Sequence, residues 1–172
     1  YFAERNISIN TVFELGSGAG RNLFYLSKSF PEIKYTGFDI NDSLIVGAKH
    51  YLEQNHKKLD LSLFSLDIEK ANFEEYEMDI VFTSMLLMYI NPKKISSCIA
   101  NICQNTKKGL IIQEIEGKND PLDPFAGYLH NYQEIFMDLG LTDLFEIKKE
   151  KINYIHWTTK YHQAYQYTLR RK

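Results

Sequence analysis

Near the start of the chain, Glu14-Leu15-Gly16-Ser17-Gly18-Ala19-Gly20 combines an acid with three glycines at two-residue spacing. Glycines in a turn let the backbone bend tightly and let a ligand approach it closely. If a helix opens directly after them, its first amides face the same ligand. In a dinucleotide site those amides hold a pyrophosphate, and the pattern is Gly-x-Gly-x-x-Gly. Here the third glycine falls one residue early, and Arg21 stands in its expected place. Glu14 precedes the first glycine by two residues, where a carboxylate repels a phosphate and suits a cationic ammonium group. Asp39, 19 residues after Gly20, is placed to accept hydrogen bonds from two ribose hydroxyls, a feature shared by NAD and adenosyl ligands. Asp67 is placed to accept from an adenine amino group, although an acid after a strand is also ordinary turn chemistry.

These residues need a scaffold that delivers strand ends to one edge, and the rest of the sequence supplies it. Strands are expected at residues 11–15, 34–39, 61–66, 79–84 and 109–114, the fourth nearly continuous in apolar residues, as a strand buried on both faces should be. Helices are expected after Gly20 to about Ser29, and from a cap at Asn41, Asp42 or Ser43 through Leu44, Ala48, Tyr51 and Leu52. A third opens at Asn91-Pro92 and carries Ile95, Cys98, Ile99 and Ile102 on one stripe. A fourth covers residues 132–139 and is stopped by Gly140. Residues 144–152 and 161–169 read as an antiparallel strand pair at one sheet edge. The alternation predicts an α/β fold, a single domain with one doubly wound and mostly parallel sheet. Such sheets bind ligands beyond the carboxyl ends of their strands, at the switch point beside the first strand, which is where the glycine-rich turn sits.

The chain has 172 residues, 44% of them apolar, with 12 Tyr and 11 Phe, a globular composition. A net charge of −2 with interspersed signs excludes the basic footprint of a nucleic-acid binder. No apolar run approaches the roughly 20 residues that cross a bilayer. Cys98 and Cys103 do not make a disulfide framework and read as small buried hydrophobes in a reducing cytoplasm. His50 and His56 lack the partners of a metal site, and His156 and His162 flank Trp157 in a loop or edge hairpin, so no metal is expected.

Glu14 to Gly20, Asp39, Asp67 and the stretch 79–90 together resemble the class I S-adenosylmethionine-dependent methyltransferases, over residues 11–116 well and beyond that in outline. The resemblance implies a Rossmann-like fold of seven strands, one of them antiparallel and inserted beside the fifth. It implies that Glu14, Gly16, Ser17, Gly18 and Gly20 face the methionine moiety of S-adenosylmethionine. Asp39 would then take the ribose with Ile40 against the adenine, Asp67 and the Ile68 amide the adenine edge, and Ser84 and Met85 the surroundings of the methyl donor. It also implies helices ahead of the first strand, so an N-terminal extension of the native protein is expected.

The reaction needs an in-line nucleophile and the exclusion of water, and an oxygen acceptor benefits from a general base. Candidate bases are His130 first, then Tyr132 and Tyr89, with Glu114 and Glu116 at the end of the fifth strand. The segment 120–132, with Phe125, Tyr128, His130 and Tyr132, is expected to form the acceptor wall. The Asn/Asp-Pro-Pro-aromatic signature of amino-methylating DNA enzymes is absent, residues 83–86 reading Thr-Ser-Met-Leu. A small polar acceptor remains, with a sugar or sugar nucleotide as its specific form. An NAD-dependent oxidoreductase and a non-catalytic binding subunit of the same fold are the competing readings; the shifted glycine and Glu14 argue against the first, and the intact motif against the second.

Overall fold

A computed structural model describes residues 7–56, 59–117, 121–123, 127–152 and 163–172. Strand β1 (Thr11–Leu15) leads into helix α1 (Arg21–Ser29), then β2 (Lys34–Asp39), α2 (Asp42–Asn55), β3 (Leu61–Ser65) and β4 (Met78–Ser84). A short 3-10 turn (Leu87–Tyr89) precedes α3 (Ile95–Asn105) and β5 (Thr106–Glu116). There follow β6 (Pro121–Asp123), β7 (Gly127–Tyr128), α4 (Tyr132–Asp138), α5 (Leu141–Leu144), β8 (Phe145–Ile152) and β9 (Gln163–Arg171). The seven-stranded sheet runs β3-β2-β1-β4-β5-β9-β8, and β6 pairs with β7 apart from it.

Strands β1 to β5 are parallel, while β9 lies antiparallel between β5 and β8. The chain winds outward from β1 to β3 and returns to β4 on the other side of β1. The crevice between the carboxyl ends of β1 and β4 is therefore the switch point, where a doubly wound sheet binds its ligand.

Alternation along the strands builds two cores. Val12, Tyr35, Leu63 and Ile80 share one sheet face and meet Leu23 of α1 with Ile45 and Ala48 of α2. Phe13, Phe38, Val81, Leu110 and Ile112 share the other and meet Ile99 and Ile102 of α3 and Phe136 of α4. On the first face, Ile9, Val12, Ile80, Phe82 and Ile111 line an open apolar groove of about 600 Å³ beside α1.

Three local expectations are refined. Helix α3 starts at Ile95, because the Asn91 carbonyl and side chain take the Lys93, Lys94 and Ile95 amides in a preceding turn. Strand β9 runs two residues past Leu169, because its ladder to β5 and β8 continues to Arg170 and Arg171. The connection from β3 to β4 contains no helix. Its Phe73 and Tyr76 instead pack on Phe38 and Phe13, with ring centroids 5.2 to 6.4 Å apart. Part of the aromatic richness of the sequence is thus spent in the core. Phe73 is wholly buried, so Phe73→Ala is expected to destabilise the fold by about 3–5 kcal/mol, read from the midpoint of urea unfolding. A shift below about 1 kcal/mol would show that this segment does not stand in for a covering helix.

Candidate functional site

The turn after β1 is built from left-handed glycines: Gly16, Gly18 and Gly20 have φ of 74°, 52° and 73°. At two of them a side chain is also blocked by close neighbours. A Cβ on Gly16 would stand 2.8 Å from Leu86 Cδ1, and one on Gly20 would stand 2.9 Å from Leu63 Cδ2. The Gly16 and Ser17 amides both donate to the Phe38 carbonyl, at 2.7 and 2.9 Å, which ties the turn to the end of β2. Gly20 then opens α1 with no side-chain cap. Ser17 is buried and its hydroxyl points at Gly37 of β2 without a hydrogen-bond partner.

Glu14 lies beneath this turn, 1% exposed. Its Oε1 accepts from Asn22 Nδ2 at 2.7 Å, and its Oε2 has no partner. Burial pushes the carboxyl up to about 7, the Asn22 bond pulls it down, and the nearby Asp39 charge adds to the rise. Asn22 went unnoticed in the sequence. It sits in the first turn of α1, and helical side chains lean toward the N-terminus, so it points back at the turn.

Asp39 ends β2 with both oxygens engaged. Oδ2 accepts the Gly18 amide and Oδ1 the Asn41 amide, each at 2.8 Å. Ile40 beside it is 71% exposed. Asp67 carries turn chemistry: Oδ1 accepts the Glu69 amide at 3.0 Å and Oδ2 pairs with Lys70 at 2.8 Å. The bond to Lys70 leads the causes that hold its carboxyl below the usual range. The Ile68 side chain turns away into the core. Ser84 closes β4, half-buried. Met85 is the one described non-glycine residue with a left-handed φ, 55°, and its side chain packs against Ile115, Leu129 and Ala164.

Residues 16–20 and Asp39 are thus joined at the carboxyl ends of β1 and β2, with Ser84 ending the neighbouring β4. His130 and Tyr132, expected as candidate bases on the acceptor side, are both wholly buried. His130 Nε2 donates to the Ile90 carbonyl at 3.1 Å, and desolvation lowers its pKa. Tyr132 packs among His130, Phe136 and Tyr167; burial raises its hydroxyl well above the usual phenol range, and that hydroxyl has no partner. Tyr89, in contrast, is 55% exposed. Glu114 is wholly buried, while Glu116 accepts from Tyr167 and Lys149. His50 bonds Gln54 on the surface of α2, and His56 packs edge-on against Phe24 and at a tilt against Tyr51. Phe125, His156 and His162 lie outside the described residues. Among the described residues no three His, Cys, Asp or Glu are grouped to hold a metal, and no helix is long and apolar enough to cross a membrane.

The sequence profile of the methyltransferase domain family matches residues 12–109, more than half of the chain. A probable S-adenosyl-L-methionine-dependent methyltransferase of Haemophilus influenzae, TehB, is 30% identical over 107 residues, 62% of this chain and 36% of that protein. The chain thus spans about a third of the length of that curated relative. Among solved structures, the N-terminal domain of EvdMO1, determined in the presence of SAH and D-fucose, superposes with a TM-score of 0.76 at 16% identity. That match covers 99% of this chain and 80% of the other. Magnesium protoporphyrin IX methyltransferase of Synechocystis PCC 6803, with bound SAH, gives 0.73 at 17% identity over 99% and 78%.

Two expected outcomes follow from the buried groups. Glu14 titrates near 4.5 when unfolded and near 7 in the fold. Between those values the folded state keeps a proton that the unfolded chain has lost, so stability falls as pH rises through the window and levels above it. Glu114, also pushed up to about 7, adds the same trend. Glu14→Gln is therefore expected to exceed wild type by about 1–3 kcal/mol near pH 8 and to approach it near pH 5, read by urea unfolding at both pH values. A difference that does not change with pH would show that Glu14 is not desolvated. Tyr132→Phe removes an unpartnered buried hydroxyl, so its thermal stability should stay within about 1 kcal/mol of wild type or rise. A larger loss would reveal a bond to that hydroxyl.

Proposed function

The chain belongs to the methyltransferase domain family, whose donor is S-adenosylmethionine, and on that premise we propose that it transfers the donor's methyl group to a small polar acceptor, a sugar or sugar nucleotide. The observation that carries this reading is the unpartnered, buried Oε2 of Glu14 beneath the three-glycine turn. A carboxyl in that position fits the donor's ammonium group and would repel the pyrophosphate of a dinucleotide. S-adenosylmethionine supplies a methyl on a sulfonium, already activated toward nucleophiles.

The chain's own residues then have to bind, orient and exclude water. Glu14 receives the ammonium group, and an approaching cation favours its ionised form over the neutral form that burial favours. Each Asp39 oxygen accepts one amide and keeps a second lone pair for a ribose hydroxyl. Ile40 offers an exposed apolar face to the adenine. Asp67 and the Ile68 amide border the adenine edge, and Ser84 and Met85 the methyl. Holding the donor in this way turns transfer into an alignment problem, in which proximity lowers much of the barrier. Of the expected bases, Tyr89 is the exposed one and stands on the turn after β4. The EvdMO1 domain that shares this fold was determined in the presence of D-fucose, which makes sugars the first acceptors to test. The buried free thiols of Cys98 and Cys103 support a reducing, cytoplasmic setting.

Calorimetry is expected to show binding of S-adenosylmethionine and S-adenosylhomocysteine, and negligible binding of NAD. Asp39→Ala should weaken donor affinity by about 1–3 kcal/mol, because it strips partners from the Gly18 and Asn41 amides as well as from the ribose. Tighter binding of NAD would overturn the reading. Release of S-adenosylhomocysteine across a panel of sugars, sugar nucleotides and small amines tests the acceptor class, and turnover confined to the amines would exclude the sugar.

A further inference from the structure

Directly after Met85 the chain places Leu86 against the glycine-rich turn. A Cβ added to Gly16 would meet Leu86 Cδ1, Cβ and Cγ at 2.8 to 3.0 Å, so this side chain is the wall on which Gly16 rests. The backbone behind that wall is held from β5. Glu114 Oε1 accepts the Leu86 amide and the Leu87 amide, both at 2.9 Å. On the far side of the same turn His130 donates to the Ile90 carbonyl, so the segment is gripped by one acceptor and one donor.

Glu114 is a costly residue for this task. It is wholly buried, its Oε2 has no partner, and desolvation pushes it up to about 7 against the pull of the amides. A buried carboxyl of this kind is destabilising compared with an apolar side chain of similar size. Its place is explained if the two amides it receives must be held in one position. With Oε1 occupied by two donors and no exposed surface, it is not placed to take a proton from an acceptor.

We propose that Glu114 is a positioning residue for donor binding, which fixes Leu86 over Gly16 and so sets the conformation of the glycine-rich turn. The inference rests on the reading that residues 16–20 hold S-adenosylmethionine. Glu114 acts on the donor only through Leu86, and its contribution is the acceptor oxygen. Glutamine preserves both the shape of Glu114 and that acceptor oxygen.

The test measures S-adenosylhomocysteine affinity by calorimetry, at a temperature where circular dichroism shows each protein folded. It uses wild type, Glu114→Gln, Glu114→Leu, Leu86→Ala and the Glu114→Leu/Leu86→Ala pair. Glu114→Gln should bind within about threefold of wild type, while Glu114→Leu and Leu86→Ala should each lose about tenfold or more. The pair should lose no more than the weaker single variant, since residues acting through one contact are not additive. A purely structural role would lower the melting temperature of Glu114→Leu and leave the affinity of its folded fraction unchanged. If Glu114→Leu does not fold, Glu114→Gln and Leu86→Ala decide the matter. A folded Leu86→Ala that binds like wild type overturns the inference, as does a Glu114→Gln that has lost tenfold. Wild type failing to bind S-adenosylhomocysteine would defeat the functional reading itself, whereas binding by wild type with an unaffected Leu86→Ala defeats only the role of Glu114.

Discussion

Between the last residue of β1 and the first of α1 the chain reverses over five residues, three of them with φ between 52° and 74°. L residues with side chains rarely adopt that region, so the reversal depends on glycine. Much of the crevice follows from it. The sharp turn brings the Gly16 and Ser17 amides onto the Phe38 carbonyl, which locks the end of β1 to the end of β2. It also lets Asn22 in the first turn of α1 fold back over Glu14, and it brings the Gly18 amide to Asp39. The crevice and the packing of α1 on the sheet are thus consequences of one local backbone geometry.

That geometry places charge where water does not reach. Glu14 and Glu114 are both interior, on opposite sides of β4, and burial moves both toward neutrality. The two differ in how their oxygens are used. Glu114 Oε1 is consumed by two backbone amides, whereas Glu14 Oε2 is left open beneath the turn. A fold selected for stability alone would fill either position with an apolar side chain. Buried groups with perturbed titration of this kind cluster at functional sites.

The parts of this arrangement that the sequence made legible were those with a local signature. The glycine spacing and the acid that closes the second strand depend on neighbours along the chain, and the structure has left-handed glycines at 16, 18 and 20 and Asp39 at the end of β2. What was hidden depended on tertiary context. Helix α3 begins late because the Asn91 side chain competes for amides that an ideal first turn would leave to the helix. The missing cover between β3 and β4 is supplied by Phe73 and Tyr76, whose partners Phe13 and Phe38 lie on other strands. In the sequence His130 and Tyr132 read as part of a polar wall, but residues with a flat body and a polar tip also serve in cores. Their burial under the turn after β4 is a long-range property, and so is the link from Glu114 to Leu86, 28 residues apart.

The carboxylate of Asp39 is held on both flanks, by Gly18 on the turn and by Asn41 at the cap of α2. A side chain bridging two backbone segments has surrendered its rotamer freedom during folding. The same holds for the turn it anchors. Ordering a side chain or loop on association costs about 0.5–1.5 kcal/mol for each immobilised group, and at this position that cost falls on the folding equilibrium instead. Under the proposed function, recognition at the crevice resembles insertion into a rigid mould, with arrival governed by diffusion and desolvation rather than by a search among loop conformers. Differences in affinity among nucleoside ligands at this edge of the sheet should accordingly reside in how slowly each one leaves.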